Sequence, residues 1–193
     1  MRLNFPIKLF ATLGLTLVAA ALLLAGRPAQ AQAIAPINYH EPIVAVRGGV
    51  YFPINGRIAS QVGRTLITGG VDITAAHQTY VSRTVVSVDY LDRTKNGHKL
   101  RMIPITVGQF TYLPGSNDFR PYYGFGIGIY LINQDIVSSD GVDQSKNDTG
   151  YGAYLGLGSD IGQNFFVEGR YHFVTPVNST SASGPELNVG VRF

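Results

Sequence analysis

The sequence contains no cysteine and no tryptophan, and only 14% of its residues are charged. The lack of cysteine excludes a disulfide framework and a lipoprotein anchor. After residue 24 no apolar run approaches the length of a transmembrane helix. A membrane could then be entered only by a closed barrel, in which every backbone group pairs between strands. A genuine basic excess is also missing. Lys+Arg number 15 against 12 Asp+Glu, but Arg2, Lys8 and Arg27 fall in the export segment described next. Without them the balance is even, which removes the compositional support for a nucleic-acid partner.

What the N-terminal region does have is the order of a secretory signal: Arg2 and Lys8, the apolar run from Leu9 to Leu24, then Ala29-Gln30-Ala31. This predicts a signal peptide at 1–31, cleaved after Ala31. Residues 32–42 hold two prolines and few apolar side chains, and read as a periplasmic lead-in. The remainder, 43–193, is expected to form one domain rich in glycine, tyrosine and phenylalanine.

That domain alternates. In the last segment Leu187, Val189, Val191 and Phe193 oppose Asn188, Gly190 and Arg192, a period of two that makes one face apolar and the other polar. Phe165, Val167, Tyr171 and Phe173 likewise oppose Phe166, Glu168, Arg170 and His172. Leu155 and Leu157 oppose Tyr154, Gly156 and Asp160, and Tyr123 to Leu131 oppose Tyr122, Gly124, Gly126, Gly128 and Tyr130. Further segments run through Ile43–Phe52, Thr65–Thr74, Arg83–Tyr90 and Leu100–Leu113. In the last of these the parity slips near Pro104 or Gly108, which predicts a β-bulge. The expected fold is all-β: an eight-stranded antiparallel up-and-down transmembrane β-barrel.

Short turns are expected at Ala75–Thr79, Pro114–Phe119 and Ile161–Asn164. Longer connections are expected at Pro53–Val62, Gln134–Asp148 and Val174–Gly184. Barrel topology puts the short turns on the periplasmic side and the long loops outside.

Four stretches, PYYGFGIG (121–128), YGAYLGLG (151–158), FFVEGRYHF (165–173) and LNVGVRF (187–193), resemble the small bacterial outer-membrane β-barrels: the opacity proteins, OmpX-like and OmpW-like proteins and the OmpA membrane domain. Tryptophan, frequent in the aromatic girdles of such barrels, is replaced here by tyrosine and phenylalanine. The resemblance implies residence in the outer membrane. It also implies that Leu187, Val189, Gly190, Val191 and Phe193 act as the signal read by the barrel-assembly machinery.

The faces opposite the apolar ones collect Arg47, Asp72, Asp89, Glu168, Arg170, His172, Glu186 and Arg192. An eight-stranded barrel is barely wide enough for its own side chains, so these charges are expected to pair and plug the lumen. The function this favours is non-enzymatic: a structural or surface-interaction barrel in contact with outer-membrane lipid, meeting an extracellular partner through its long loops. The alternative is a narrow channel for small or hydrophobic solutes, as in OmpW-like proteins.

Other chemistries fare worse. Gly124-x-Gly126-x-Gly128 lies inside a strand rather than before a helix, so it suits relief of crowding better than phosphate binding. The lipid A deacylases resemble one another at a His-x-Ser pair, whereas this chain reads His172-Phe173-Val174. That leaves a lipid-modifying enzyme as a remote alternative. Asp135, Asp140, Asp143 and Asp148 lack the spacing of a calcium loop. Asn147-Asp148-Thr149 and Asn178-Ser179-Thr180 match glycosylation acceptors by chance. No cofactor or metal is expected.

Overall fold

A computed structural model describes residues 43–79, 81–116, 118–137, 143–176 and 181–193. The expected signal peptide (1–31) and lead-in (32–42) lie outside these residues. Eight strands form a closed barrel in sequence order, each antiparallel to the next, with the last paired to the first. They are β1 (Val44–Tyr51), β2 (Leu66–Thr79), β3 (Ser82–Lys95), β4 (His98–Tyr112), β5 (Phe119–Val137), β6 (Asp143–Ile161), β7 (Phe165–Val174) and β8 (Gly184–Arg192). Closure leaves no free sheet edge, so the ladder satisfies the backbone without help from water.

The alternation sets the two surfaces. Ile67, Leu155, Leu157, Val189 and their apolar neighbours point outward, Leu157 being 72% exposed. Arg47, Asp72, Glu168, Arg170 and Arg192 point inward and are buried. An outer surface this apolar is out of place in water and suited to lipid.

Inside, large rings sit over glycines of neighbouring strands. The Tyr154 ring covers both Gly126 and Gly108, where any Cβ would collide with it. Tyr130 stands in the same way against Gly152, Tyr122 against Gly158 and Phe166 against Gly190. In the Gly-x-Gly-x-Gly stretch Gly124 makes room for Phe110 and Gly126 for Tyr154, while Gly128 lets the Ile105–Thr106 backbone approach, a close-packing function.

Several boundaries differ from the expectation. The β3–β4 register is the same on both sides of Pro104, Val88↔Ile105 and Leu91↔Met102, so β4 carries no bulge. The slip is only apparent. β4 is apolar inward at Leu100 and Met102, and apolar outward at Ile105 and Val107. The register shifts lie instead in β2–β3, at Thr74/Ala76 and His77/Thr79, and residues 75–79 belong to β2 rather than to a turn. Most of Gln134–Asp148 is strand: Gln134↔Lys146 and Ile132↔Asp148 are paired. Asp135, Asp143 and Asp148 thus lie on strands, while Asp140 and 178–180 lie outside the described residues. A two-residue turn joins β3 to β4 at Asn96-Gly97, with φ of 51° and 81°. Positive φ at both positions is what a type I′ hairpin needs, and Asn-Gly tolerates it.

The Pro53–Val62 connection contains a helix, α1 (Gly56–Val62). Asn55 accepts from the Ile58 amide at 3.4 Å, and Gly63 follows the last turn with φ of 96°. Ile58 and Val62, four residues apart, share one face of α1. They join an apolar cluster with Leu66, Leu91, Leu100, Met102 and Ile132. This cluster caps the end of the barrel that bears the longer connections.

Candidate functional site: the charged lumen

Every residue expected in the lumen lies there, buried. The strand order arranges them in three tiers. Nearest the short turns, Arg192 donates from Nε to Asp160 Oδ1 at 2.9 Å and from NH2 to the Tyr122 hydroxyl at 3.2 Å. Its guanidinium lies 4.1 Å from the centroid of the Phe166 ring, close enough for a cation–π contribution. Arg83 lies over Phe110 and Tyr112 at this end. A shallow cleft lined by Ala45, Thr74, Arg83, Val85 and Arg192 also touches Asp72, but has no room for a water molecule.

The waist holds the densest charge. Arg47, on β1, donates through NH1 to Asp72 on β2 and through NH2 to Asp89 Oδ1 on β3, the latter at 2.5 Å. Arg170, on β7, donates to Glu168 on its own strand and to Asp72 Oδ2 at 3.3 Å. Its NH1 lies 3.9 Å from Asp89 Oδ2. The Ser87 hydroxyl adds a 2.6 Å bond to Asp72. Arg170 packs between the rings of Tyr154 and Phe110, 4.8 and 5.5 Å from their centroids. β3 and β7 stand four strands apart in a ring of eight, so the Arg170–Asp89 contact crosses the full width of the lumen.

Toward the longer connections, His172 Nε2 lies 2.8 Å from Glu186 Oε2, and its Nδ1 lies 3.0 Å from the Tyr130 hydroxyl. The Thr68 hydroxyl donates to the other oxygen of Glu186 at 2.7 Å. Tyr51 and Tyr130 pack edge-on to the imidazole. Both ring nitrogens are occupied inside the barrel wall, away from any lipid substrate.

Sequence reasoning missed Asp160, Arg83, Ser87, Thr68 and the tyrosines at 51, 112, 122, 130 and 154 as members of this assembly. Strand parity already placed Asp160, Tyr122, Tyr130 and Tyr154 on the inner face. The partners could not be chosen, because the contacts that matter run across the lumen. Among the described residues no group of His, Asp and Glu side chains is arranged to hold a metal ion.

In the residues expected as an assembly signal, the Leu187, Val189 and Phe193 side chains point outward, and Gly190 lies under the Phe166 ring. The Phe193 backbone completes barrel closure: its N–H donates to Val44 O at 2.8 Å, and its carbonyl accepts from Ile43 N at 2.9 Å.

No family model and no curated protein sequence matches the chain. Solved structures do. The N-terminal β-barrel domain of Pseudomonas aeruginosa OprF matches with a TM-score of 0.53 at 15% identity, covering 79% of this chain and 98% of that one. Neisserial surface protein A gives 0.55 at 16%, covering 77% and 93%. Ail, the attachment invasion locus protein of Yersinia pestis, gives 0.55 at 14%, covering 79% and 99%. Likeness at so low an identity is a likeness of fold. With the closed eight-stranded ring, the apolar outer surface and the charged interior, the chain has the fold of the small outer-membrane β-barrels.

Proposed function

We propose that the protein is a non-enzymatic outer-membrane β-barrel whose lumen is plugged by its own charges, with a structural or surface-interaction role carried at its outer end. One observation carries this reading: Arg170 and Arg47 share Asp72 and Asp89 across the waist. A water-filled conduit would leave such side chains solvated along its wall. Here they meet in the middle, and the cap built on Ile58 and Val62 lies above them. The occupied nitrogens of His172 support a non-catalytic role. The refolded protein in a planar bilayer is expected to give no steady conductance steps. Steady steps from the unaltered protein would favour the narrow channel.

The terminal strand is proposed as the segment read by the barrel-assembly machinery. Its outward Phe193 side chain is 67% exposed and contributes little internal packing. Phe193→Asp should sharply reduce delivery to the outer membrane and leave unassembled chain in the periplasm. Normal levels of heat-modifiable barrel in outer-membrane fractions would contradict that role.

A further inference from the structure

The lumen uses its cations in pairs, but the outer end does not. All lysines after Lys8 lie there, at Lys95, Lys99 and Lys146, together with Arg64, Arg93 and Arg101. Among the described residues none of these six cations takes part in an ion pair. The carboxylates described nearby are Asp92, Asp135 and Asp148. Among the described residues the opposite rim exposes only Asp118 and Arg120. Exposed positive charge is thus concentrated at one end, and mostly on the β3–β4 hairpin.

That hairpin presents its cations on two sides. Arg93 and Lys95 have the parity of Leu91 and turn toward the mouth, beside Gly63 in the connection after α1. Lys99 and Arg101 have the parity of Ile103, Ile105 and Val107, the face that meets lipid. They therefore leave the barrel wall directly above its apolar surface. Arg101 lies 5.8 Å from the ring centroid of Tyr90, an exposed aromatic on the same face. Its cross-strand neighbour is Asp92, and that of Lys99 is Asp135. Asp92 Oδ1 and Arg101 Nε both remain without a hydrogen-bond partner. An aromatic at the edge of the hydrocarbon with cations just beyond it matches a membrane interface that carries negative headgroups.

We propose that Lys99 and Arg101 bind the phosphates of a phosphorylated glycolipid of the lipid A type in the outer leaflet, with Tyr90 packed beneath the headgroup. The proposal rests on the outer-membrane reading above but not on the plugged lumen. The lipid is favoured over a soluble polyanion because these two side chains rise from the lipid-facing side of the hairpin, continuous with the apolar surface.

The test uses the full barrel refolded in neutral detergent micelles and titrated with bisphosphorylated lipid A, monophosphorylated lipid A or phosphatidylcholine, with retained lipid counted by native mass spectrometry. Affinity should fall in that order. One cation near a charged headgroup surface is worth about fivefold, so Lys99→Gln/Arg101→Gln should weaken the bisphosphorylated lipid roughly 30-fold. Lys99→Arg/Arg101→Lys should retain binding. Arg93→Gln/Lys95→Gln, altered on the mouth side, should lose much less. A heat-shifted gel band verifies that each variant is folded. Equal affinity for lipid A and phosphatidylcholine would overturn the proposal. So would a larger loss from the mouth-side pair, or binding of soluble polyphosphate that Lys99 and Arg101 control as strongly as the lipid. A conducting wild-type barrel that still prefers lipid A would defeat the plug and leave this site standing.

Discussion

The inner and outer faces of the barrel are made by the same strands one residue out of phase, yet opposite physics holds them. On β7, Phe165, Val167 and Phe173 face outward and are exposed. Phe166, Glu168, Arg170 and His172 face inward and are buried. Outside, lipid fills whatever space a side chain gives up, so each position acts almost alone. Inside, Asp72 accepts from Arg47, Ser87 and Arg170 at once. A change at any one of them alters the surroundings of the others. Independent positions can drift, whereas a shared network must change together.

The difference is broken most severely at Arg170, which contacts Glu168, Asp72 and Asp89. Arg170→Ala leaves those carboxylates facing one another with Arg47 as their remaining cation in the waist. Removing one partner of a buried pair costs about 3–5 kcal/mol, and this side chain serves three acids. The folded, heat-shifted band should be largely lost, and any remaining barrel should unfold at much lower urea. A smaller inner-face effect is expected where packing rather than charge is disturbed. Gly126→Ala pushes a methyl group into the Tyr154 ring, and overpacking of this kind costs about 1–3 kcal/mol. Adding Tyr154→Ala should recover part of that loss in the same unfolding assay. Absence of recovery would mean that the ring is not what Gly126 accommodates.

How far the sequence reveals this arrangement depends on where a strand lies relative to lipid. Across the apolar zone the period of two separates the faces cleanly, and the eight residues it assigns to the inner face are buried. Beyond that zone both faces meet water and the alternation vanishes. This is why Asp143–Asp148 reads as loop although it belongs to β6, and why the β3–β4 hairpin goes unread despite its Asn96-Gly97 turn. Helix α1 is only one and a half to two turns long, too short for a periodic signal, and gains its order by packing Ile58 and Val62 on the cap. The Arg170–Asp89 contact is invisible for another reason: it depends on ring closure, which no local pattern encodes.

The central claim is that the inner face stands on paired charge while the outer face stands on lipid contact, and neighbouring residues of one strand test it most directly. Glu168 is buried and bonded to Arg170, whereas Val167 is 40% exposed on the outer face. Urea unfolding of the two single variants in the same bilayer vesicles makes the comparison. Glu168→Ala leaves the buried Nε of Arg170 without an acceptor, while Asp72 and Asp89 still face the guanidinium, and should cost roughly 2–3 kcal/mol. Val167→Ala gives up two methyl groups to lipid and should cost less than about 1 kcal/mol. Equal losses, or a larger loss at Val167, would mean that water in the lumen satisfies the freed arginine donor and would contradict the plugged barrel.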